Sequence, residues 1–154
     1  MPDDPSNDIA PAEIRRAQIA DAPEIGRLAA ELGYPTSAAE MTRRLAILLP
    51  SKRHHVAVAV GRDCLLGWMH VEHRTSLEGG ERAELMGLVV DSTARRSGLG
   101  RRLVAAAERW TVDQGLSSLT VRSNAARESS HPFYESLAFN RTKSQHVYSK
   151  ELSR

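Results

Sequence analysis

The segment of residues 83–110 changes its hydrophobic period once, and this change limits what the chain can fold into. Residues 83–90 form a short apolar run that is typical of a buried strand. Leu99, Leu103 and Trp110 then recur at helical spacing. A further strand is predicted after this helix, and two strands joined by a helical crossover must lie parallel. The sequence therefore predicts a sheet that contains a strand–helix–strand unit.

The turn between this strand and this helix has the composition of an anion site. It holds Gly98 and Gly100, flanked by Arg95, Arg96 and Arg101. Unpaired amides and the positive end of a helix dipole both favour phosphate at a helix start, and arginines add charge-assisted donors. A turn that only needs the backbone freedom of glycine is the alternative. The three arginines favour a phosphate site.

Composition places the chain among ordinary globular proteins. Its 154 residues are 41% hydrophobic and 26% charged, with a formal net charge of +2. This charge and an aromatic content of 5% argue against a nucleic-acid-binding domain. No apolar stretch approaches the roughly 20 residues of a membrane span. Cys64 is the single cysteine, which excludes an intramolecular disulfide, and we expect a buried thiol in a cytoplasmic protein.

Residues 1–12 are acidic and contain proline, so we expect a flexible tail followed by a single domain over residues 13–154. The predicted order of that domain is β-α-α-β-β-β-α-β-α-β-β, an α+β sandwich with a mixed, mostly antiparallel sheet flanked by helices. Ligands of such crossovers bind beyond the carboxyl ends of the strands. The predicted strands are 14–19, 56–60, 64–73, 82–90 and 116–122 with a closing hairpin over 139–151, and the predicted helices are 22–32, 38–49, 100–114 and 131–137.

Two motifs resemble those of the GCN5-related N-acetyltransferase (GNAT) family. The run from Leu88 to Gly100, with its core Arg95-Arg96-Ser97-Gly98-Leu99-Gly100, is similar to the family's motif A, Arg/Gln-x-x-Gly-x-Gly/Ala. Phe133-Tyr134-Glu135-Ser136-Leu137-Ala138-Phe139 looks like the family's Phe-Tyr-x-x-x-Gly-Phe segment. Arg96 and Ala138 stand where the family usually has glycine. The predicted element order also agrees with the family fold.

This resemblance implies acetyl transfer from acetyl-CoA to a primary amine. No metal site is predicted, because His54-His55 has no partners at metal-ligand spacing. The loop would hold the pyrophosphate and the end of the preceding strand the pantetheine arm, which requires the strands ending at Val90 and Arg122 to diverge. Asn124 matches a position that often contacts the cofactor. The implied cofactor-binding residues are Leu88, Val89, Val90, Arg95, Arg96, Ser97, Gly98, Leu99, Gly100, Arg101 and Asn124.

An amine must lose a proton before it attacks a thioester, so a base is needed on the diverging strand. Glu84 is the candidate base, with a structural salt bridge as the alternative. Tyr134 matches the family's general acid, and core packing is the alternative. Trp68 and His70 share one face of their strand and could line the acceptor pocket with Tyr34. Core packing of Trp68 and a surface position of His70 are favoured over this role, and a structural turn explains Tyr34 equally well.

The acceptor is not fixed by these residues. A small amine such as an aminoalkylphosphonate, an aminoglycoside or a polyamine is the first hypothesis, and an N-terminal or lysine residue of a protein is the second. A CoA sensor without turnover is a hypothesis of another class. A homodimer is expected only from the family resemblance.

Overall fold

The computed structural model describes residues 12–122 and 130–153. The chain forms two compact units, Met1–Val121 and Arg122–Arg154, and each is described by itself. Two short 3-10 helices, Ile19–Asp21 and Ser92–Ala94, precede longer helices. The strands are β1 (Glu13–Arg16), β2 (His54–Val60), β3 (Leu65–Ser76), β4 (Gly80–Val90) and β5 (Leu119–Val121), and the helices are α1 (Ala22–Glu31), α2 (Ala38–Leu48), α3 (Leu99–Asp113) and α4 (Ser130–Ser136).

The sheet of the first unit has the strand order β1-β2-β3-β4-β5. Neighbouring strands are antiparallel except β4 and β5, which are parallel. Helix α3 connects these two strands, as the change of hydrophobic period predicts. The mixed α+β fold predicted from the sequence is confirmed.

Of the two side-chain caps that the sequence predicts for α1 and α2, the structure shows only the one at α2. Ser37 accepts a hydrogen bond from the Glu40 amide at 3.1 Å and starts α2, as the sequence predicts. Asp21 precedes α1 but does not cap it with its side chain, because its carboxylate accepts hydrogen bonds from the Gln18 amide and from both Nη atoms of Arg15. Gly33 adopts φ +89° and ends α1.

Helices cover both faces of the sheet. Helices α1 and α2 pack over Val56, Val58 and Val89 on one face. On the other face a Cβ at Gly67 would lie 3.1 Å from Cδ1 of Leu103, so α3 approaches the strands closely there. Leu28 and Leu103 are fully buried, and each contributes about 2 kcal/mol by removing apolar surface from water.

Two sequence-based expectations are wrong. Cys64 is exposed, because it closes the β2–β3 turn, where its carbonyl accepts from the Gly61 amide at 2.9 Å, and β3 begins only at Leu65. The closing hairpin over residues 139–151 is absent, since residues 140–153 form no strand. These residues are exposed, and a two-stranded hairpin without an apolar face to bury is marginally stable in water.

Candidate active site

Strand β4 has a partner on both sides along only part of its length. Its pairing with β5 runs from Ala83 opposite Leu119 to Leu85 opposite Val121. Beyond Leu85, β4 continues to Val90 beside β3, and no described residue of β5 pairs with it there. Among the described residues, β4 therefore has no paired neighbour on the β5 side beyond Leu85, and backbone groups of such an edge can pair with an extended ligand. The divergence of the two strands that the family resemblance implies stays a prediction.

A β-bulge lies where this divergence begins. Opposite β3, His70 pairs with Gly87 and Val71 pairs with Leu85, so Met86 is the extra residue. Bulges bend a strand and increase its twist. The bulge thus predicts a bend in β4 close to the point where its described pairing with β5 ends.

The β4–α3 loop, residues 91–98, prepares the N-terminus of α3. Asp91 accepts hydrogen bonds from the amide and the hydroxyl of Thr93 at 2.9 and 2.7 Å, which fixes the start of the loop. Arg96 and Gly98 both have positive φ, at 66° and 82°. Helix α3 then begins at Leu99, and the exposed arginines Arg95, Arg96 and Arg101 surround this start. Amides at a helix start together with nearby guanidinium groups form an arrangement that suits a phosphate.

A group of polar side chains shares one face of the sheet beside the bulge. Because side chains alternate along a strand and directly paired residues share a face, the register defines the group. It lies on the face that α1 and α2 cover at Val58 and Val89. Among the polar side chains of this face, we call the following six the polar face: His54 of β2, Trp68, His70, Glu72 and Arg74 of β3, and Glu84 of β4.

Glu84 is buried on the polar face, with only 2% of its surface exposed. Nη1 of Arg74 donates to its Oε2 at 2.8 Å. This carboxylate raises the pKa of Arg74, first through the hydrogen bond and then through its charge. The salt bridge considered from the sequence is thus present. The role of Glu84 as a base stays a prediction.

Two histidines of the polar face contact each other. Nδ1 of His54 lies 2.9 Å from Nε2 of His70, so one ring donates and the other accepts. Burial and then the proximity of His54 lower the pKa of His70 to about 4. His70 is therefore neutral near pH 7, and it is half-buried rather than on the surface.

Trp68 is a member of the polar face that also packs against the hydrophobic core. Its ring packs against the buried cluster under α1 and α2, and a Cβ at Gly87 would lie 2.7 Å from its Cζ3 atom. Its Nε1 is buried and has no hydrogen-bond partner among the described residues. Tyr34, the third predicted acceptor residue, follows Gly33 between α1 and α2 and is 61% exposed.

Tyr134 belongs to the second unit and lies in α4. Its ring makes edge contacts with Phe133 and Phe139, with centroids 5.2 and 5.7 Å apart. Its carbonyl accepts from the amides of Leu137 and Phe139, both at 3.1 Å, so the chain turns sharply after α4. Ala138, within this turn, has φ +67°. Asn124 lies outside the described residues.

The sequence matches the model of the acetyltransferase (GNAT) family over residues 21–139. The chain belongs to the GNAT acetyltransferase family. It is thus an acyltransferase of a family that uses acetyl-CoA. A comparison with curated proteins finds no match.

Solved structures of this family share the fold. Aminoglycoside antibiotic 6'-N-acetyltransferase AAC(6')-IG from Acinetobacter haemolyticus is 22% identical, with TM-score 0.79 and coverage of 92% of this chain and 99% of its own. Aminoglycoside N-acetyltransferase AAC(6')-Iy in complex with CoA is 18% identical, with TM-score 0.81 and coverage of 91% and 95%. Glucosamine-6-phosphate N-acetyltransferase from Arabidopsis thaliana is 18% identical, with TM-score 0.76 and coverage of 90% and 98%.

The structure of this acetyltransferase adds residues that the sequence did not single out. Arg74 binds Glu84, and Arg27 of α1 binds Asp91 at the start of the β4–α3 loop. The sequence pattern could have indicated Arg74, because alternation along β3 places it on the same face as His70 and Glu72. No local sequence pattern could have indicated Arg27, since its partner Asp91 is 64 positions away.

One other feature lies apart from this site. A cavity of about 250 Å³ between β1, β2 and α3 includes His55, whose ring stacks on Trp110 at a centroid distance of 6.0 Å. His55 and Ala57 belong to the face of β2 opposite to the polar face, so we assign the cavity to packing beneath α3.

The described residues contain no cluster of three metal-ligating side chains and no helix with the length and apolar content of a membrane span.

Proposed function

We propose that this acetyltransferase moves the acetyl group of acetyl-CoA to the primary amine of a small molecule. The observation that carries the proposal is the position of the polar face beside the bulge of β4. There, an amine held over buried side chains would meet a thioester lying along residues 86–90. The chemistry of the aminoglycoside and glucosamine-6-phosphate neighbours is consistent with an acceptor of this kind.

In this proposal the β4–α3 loop and the start of α3 hold the pyrophosphate. The loop fits this role, because Gly98 has φ +82° and a Cβ there would meet no atom within 4 Å, so the backbone is open to a ligand. Acetyl-CoA supplies the activated acetyl group. Main-chain N–H groups near Leu88 and Val89 are the natural donors to the oxyanion that forms during attack.

Glu84 takes the proton that the ammonium group of the acceptor must lose, either directly or through water. Its burial keeps the carboxylate away from bulk solvent, and Arg74 keeps it oriented. Tyr134 returns a proton to the leaving thiolate. A phenol of ordinary pKa near 10 can protonate a thiolate only when the two groups are positioned together.

Two measurements test the proposal in sequence. Acetyl-CoA should raise the melting temperature, whereas an unchanged melting temperature together with no calorimetric binding would contradict the cofactor assignment. Thiol release should then be measured with aminoalkylphosphonates, aminoglycosides, polyamines and peptides. Turnover confined to peptides would replace the small-molecule acceptor with a protein, and binding without turnover on any amine would favour a CoA sensor.

The acid role of Tyr134 has its own test. Tyr134→Phe should lower kcat by about 10-fold or more while acetyl-CoA affinity stays within about twofold, because the ring packing is kept and only the proton donor is lost. Phe133→Leu, a change in the neighbouring ring, is the control for packing. Equal losses of kcat and of affinity in Tyr134→Phe would contradict the role.

A further inference from the structure

Arg27 of α1 connects three elements near the proposed cofactor site. Its Nη1 donates to Oδ2 of Asp91 at 3.0 Å, and its Nη2 donates to the Leu65 carbonyl at 3.0 Å. Its Nε donates to Oε2 of Glu24 at 2.7 Å. Oε1 of Glu24 in turn accepts from the Leu65 amide at 3.2 Å. One guanidinium group thus ties α1 to the first residue of β3 and to the residue that follows β4.

Asp91 is the point where this connection reaches the β4–α3 loop. Its side chain is 8% exposed, compared with 39% for Arg27. Burial raises the pKa of Asp91, but the hydrogen bonds from Thr93 and Arg27 outweigh this effect, and the pKa stays below its usual value. The carboxylate is therefore charged near pH 7 while it is held in a buried position.

The two carboxylate oxygens of Asp91 have different partners. Oδ1 accepts from the amide and hydroxyl of Thr93 and so shapes the first turn of the loop. Oδ2 accepts from Arg27. The Ser92 amide also lies 3.4 Å from Oε2 of Glu31, another residue of α1. Arg27 and Glu31 of α1 thus hold the turn against α1 through Asp91 and Ser92.

We propose that Arg27 is a positioning residue, which orients the β4–α3 loop through Asp91 so that the loop amides and the start of α3 are arranged for the pyrophosphate of acetyl-CoA. The inference rests on the proposed function, because it assumes that acetyl-CoA binds at this loop. Arg27 is the fourth residue of the turn that begins at Glu24, and α1 leads into the connection that carries Tyr34. The Arg27–Asp91 contact therefore joins α1 to the β4–α3 loop.

Arg27→Met tests the proposal, with Arg43→Met as the matched control. Arg43 of α2 binds Glu40 at the same i,i+3 spacing that Arg27 has to Glu24, at 3.0 and 2.9 Å, but the hydrogen bonds of Arg43 stay within α2. We expect Arg27→Met to raise the calorimetric Kd for acetyl-CoA, and the KM for acetyl-CoA, by about 10-fold, with kcat at saturating acetyl-CoA within about twofold. Arg43→Met should change none of these values by more than about twofold.

A merely structural role would give another result. Arg27→Met would then lower the melting temperature while the Kd of the folded protein stayed at the wild-type value, and this outcome would overturn the proposal. Wild-type protein that binds no acetyl-CoA would instead overturn the proposed function, and the inference with it.

Asp91→Asn keeps the test decisive if Arg27→Met fails to fold. Its side-chain oxygen can still accept from Thr93, while the charge that Arg27 requires is lost. We expect the same 10-fold increase in Kd, and no further increase in the double variant when it folds, because both changes break one contact. An unchanged Kd in Asp91→Asn, or fully additive losses in the double variant, would overturn the proposal.

Discussion

Residues 83–85 of β4 and residues 88–90 of the same strand differ in what lies beside them. The first group pairs with β3 and β5 and is buried throughout, including Glu84. Among the described residues, the second group pairs with β3 alone. We call residues 83–85 the inner group and residues 88–90 the outer group. The inner group presents the side chain of Glu84 to the candidate site, whereas the outer group presents backbone groups along one edge of the strand. A single strand can thus provide acid–base chemistry at one end and strand-like ligand binding at the other.

The transition between the two groups occurs within two residues. Met86 is the extra residue of the bulge, and Gly87 faces His70 of β3. Since a bulge changes the direction of a strand without ending it, both groups remain in one rigid element. We expect substitutions in the inner group to affect the rate of the chemical step and substitutions beyond the outer group to affect the binding of acetyl-CoA.

The largest expected effect comes from Glu84→Gln. If Glu84 takes the proton of the acceptor amine, kcat should fall by about 1,000-fold, which corresponds to about 4 kcal/mol, because general base catalysis contributes on this order. The acidic limb of the pH–rate profile should also change, while acetyl-CoA affinity stays near the wild-type value. Glu72→Gln is the control, since Glu72 pairs with Glu84 and shares its face. An unchanged pH–rate profile with a loss below about threefold would remove Glu84 as the base.

Sequence reasoning could predict much of this arrangement. The period change located β4 and α3, and Gly98 with the arginines located the loop, because these signals lie within a few adjacent residues. The sequence could not predict contacts that depend on strand register or on tertiary packing. Arg74 reaches Glu84 only through the β3–β4 register, and the bulge at Met86 leaves no local signal. Arg27 and Asp91 meet only after α1 packs against the sheet.

The pH dependence of stability should reveal His70, which lies opposite the bulge. Its pKa is about 4 in the folded protein, below the ordinary value of 6.5. Between pH 6.5 and pH 4 the unfolded chain therefore binds a proton at His70 that the folded protein does not bind. The free energy of unfolding has its full value above pH 6.5 and decreases as the pH falls towards 4. The loss should reach about 3 kcal/mol at pH 4.

Urea unfolding at several pH values measures this effect. His70→Gln should flatten the fall in unfolding free energy between pH 6.5 and pH 4. His55→Gln is the comparison, because burial and Arg16 also lower the pKa of His55, on the other face of β2. An identical slope in wild-type protein and in His70→Gln would show that His70 titrates normally.

Gly87→Ala tests the point where the two groups of β4 meet. The added Cβ would lie 2.7 and 2.9 Å from two ring atoms of Trp68, which is itself packed against the core. Overpacking of this kind costs about 2 kcal/mol. In the control Gly79→Ala the Cβ would approach Nη1 of Arg82 at 2.7 Å, and this flexible end can move away. Equal melting temperatures for the two variants would indicate that the Trp68 ring can shift without cost.

The smallest effect concerns backbone strain at two positions, of which only Arg96 lies in the β4–α3 loop. Arg96 and Ala138, which stand where the family usually has glycine, are the two non-glycine residues with positive φ in the described part of the chain. A left-handed conformation costs a residue with a Cβ about 1–2 kcal/mol, and glycine loses part of this gain through unfolded-state entropy. Arg96→Gly and Ala138→Gly should therefore each raise the unfolding free energy by about 0.5 kcal/mol.

Arg96→Gly also tests whether the loop acts through its backbone. If amides at the start of α3 provide most of the pyrophosphate affinity, losing this exposed arginine should raise the acetyl-CoA Kd by no more than about threefold. Gly98→Ala is the reverse control, because its Cβ would meet no atom within 4 Å and any loss of stability comes from φ +82° alone. A 100-fold rise in Kd for Arg96→Gly would show that the charge of the arginine side chain provides most of the pyrophosphate affinity. It would contradict the expectation that backbone groups at and beyond the outer end of β4 bind acetyl-CoA.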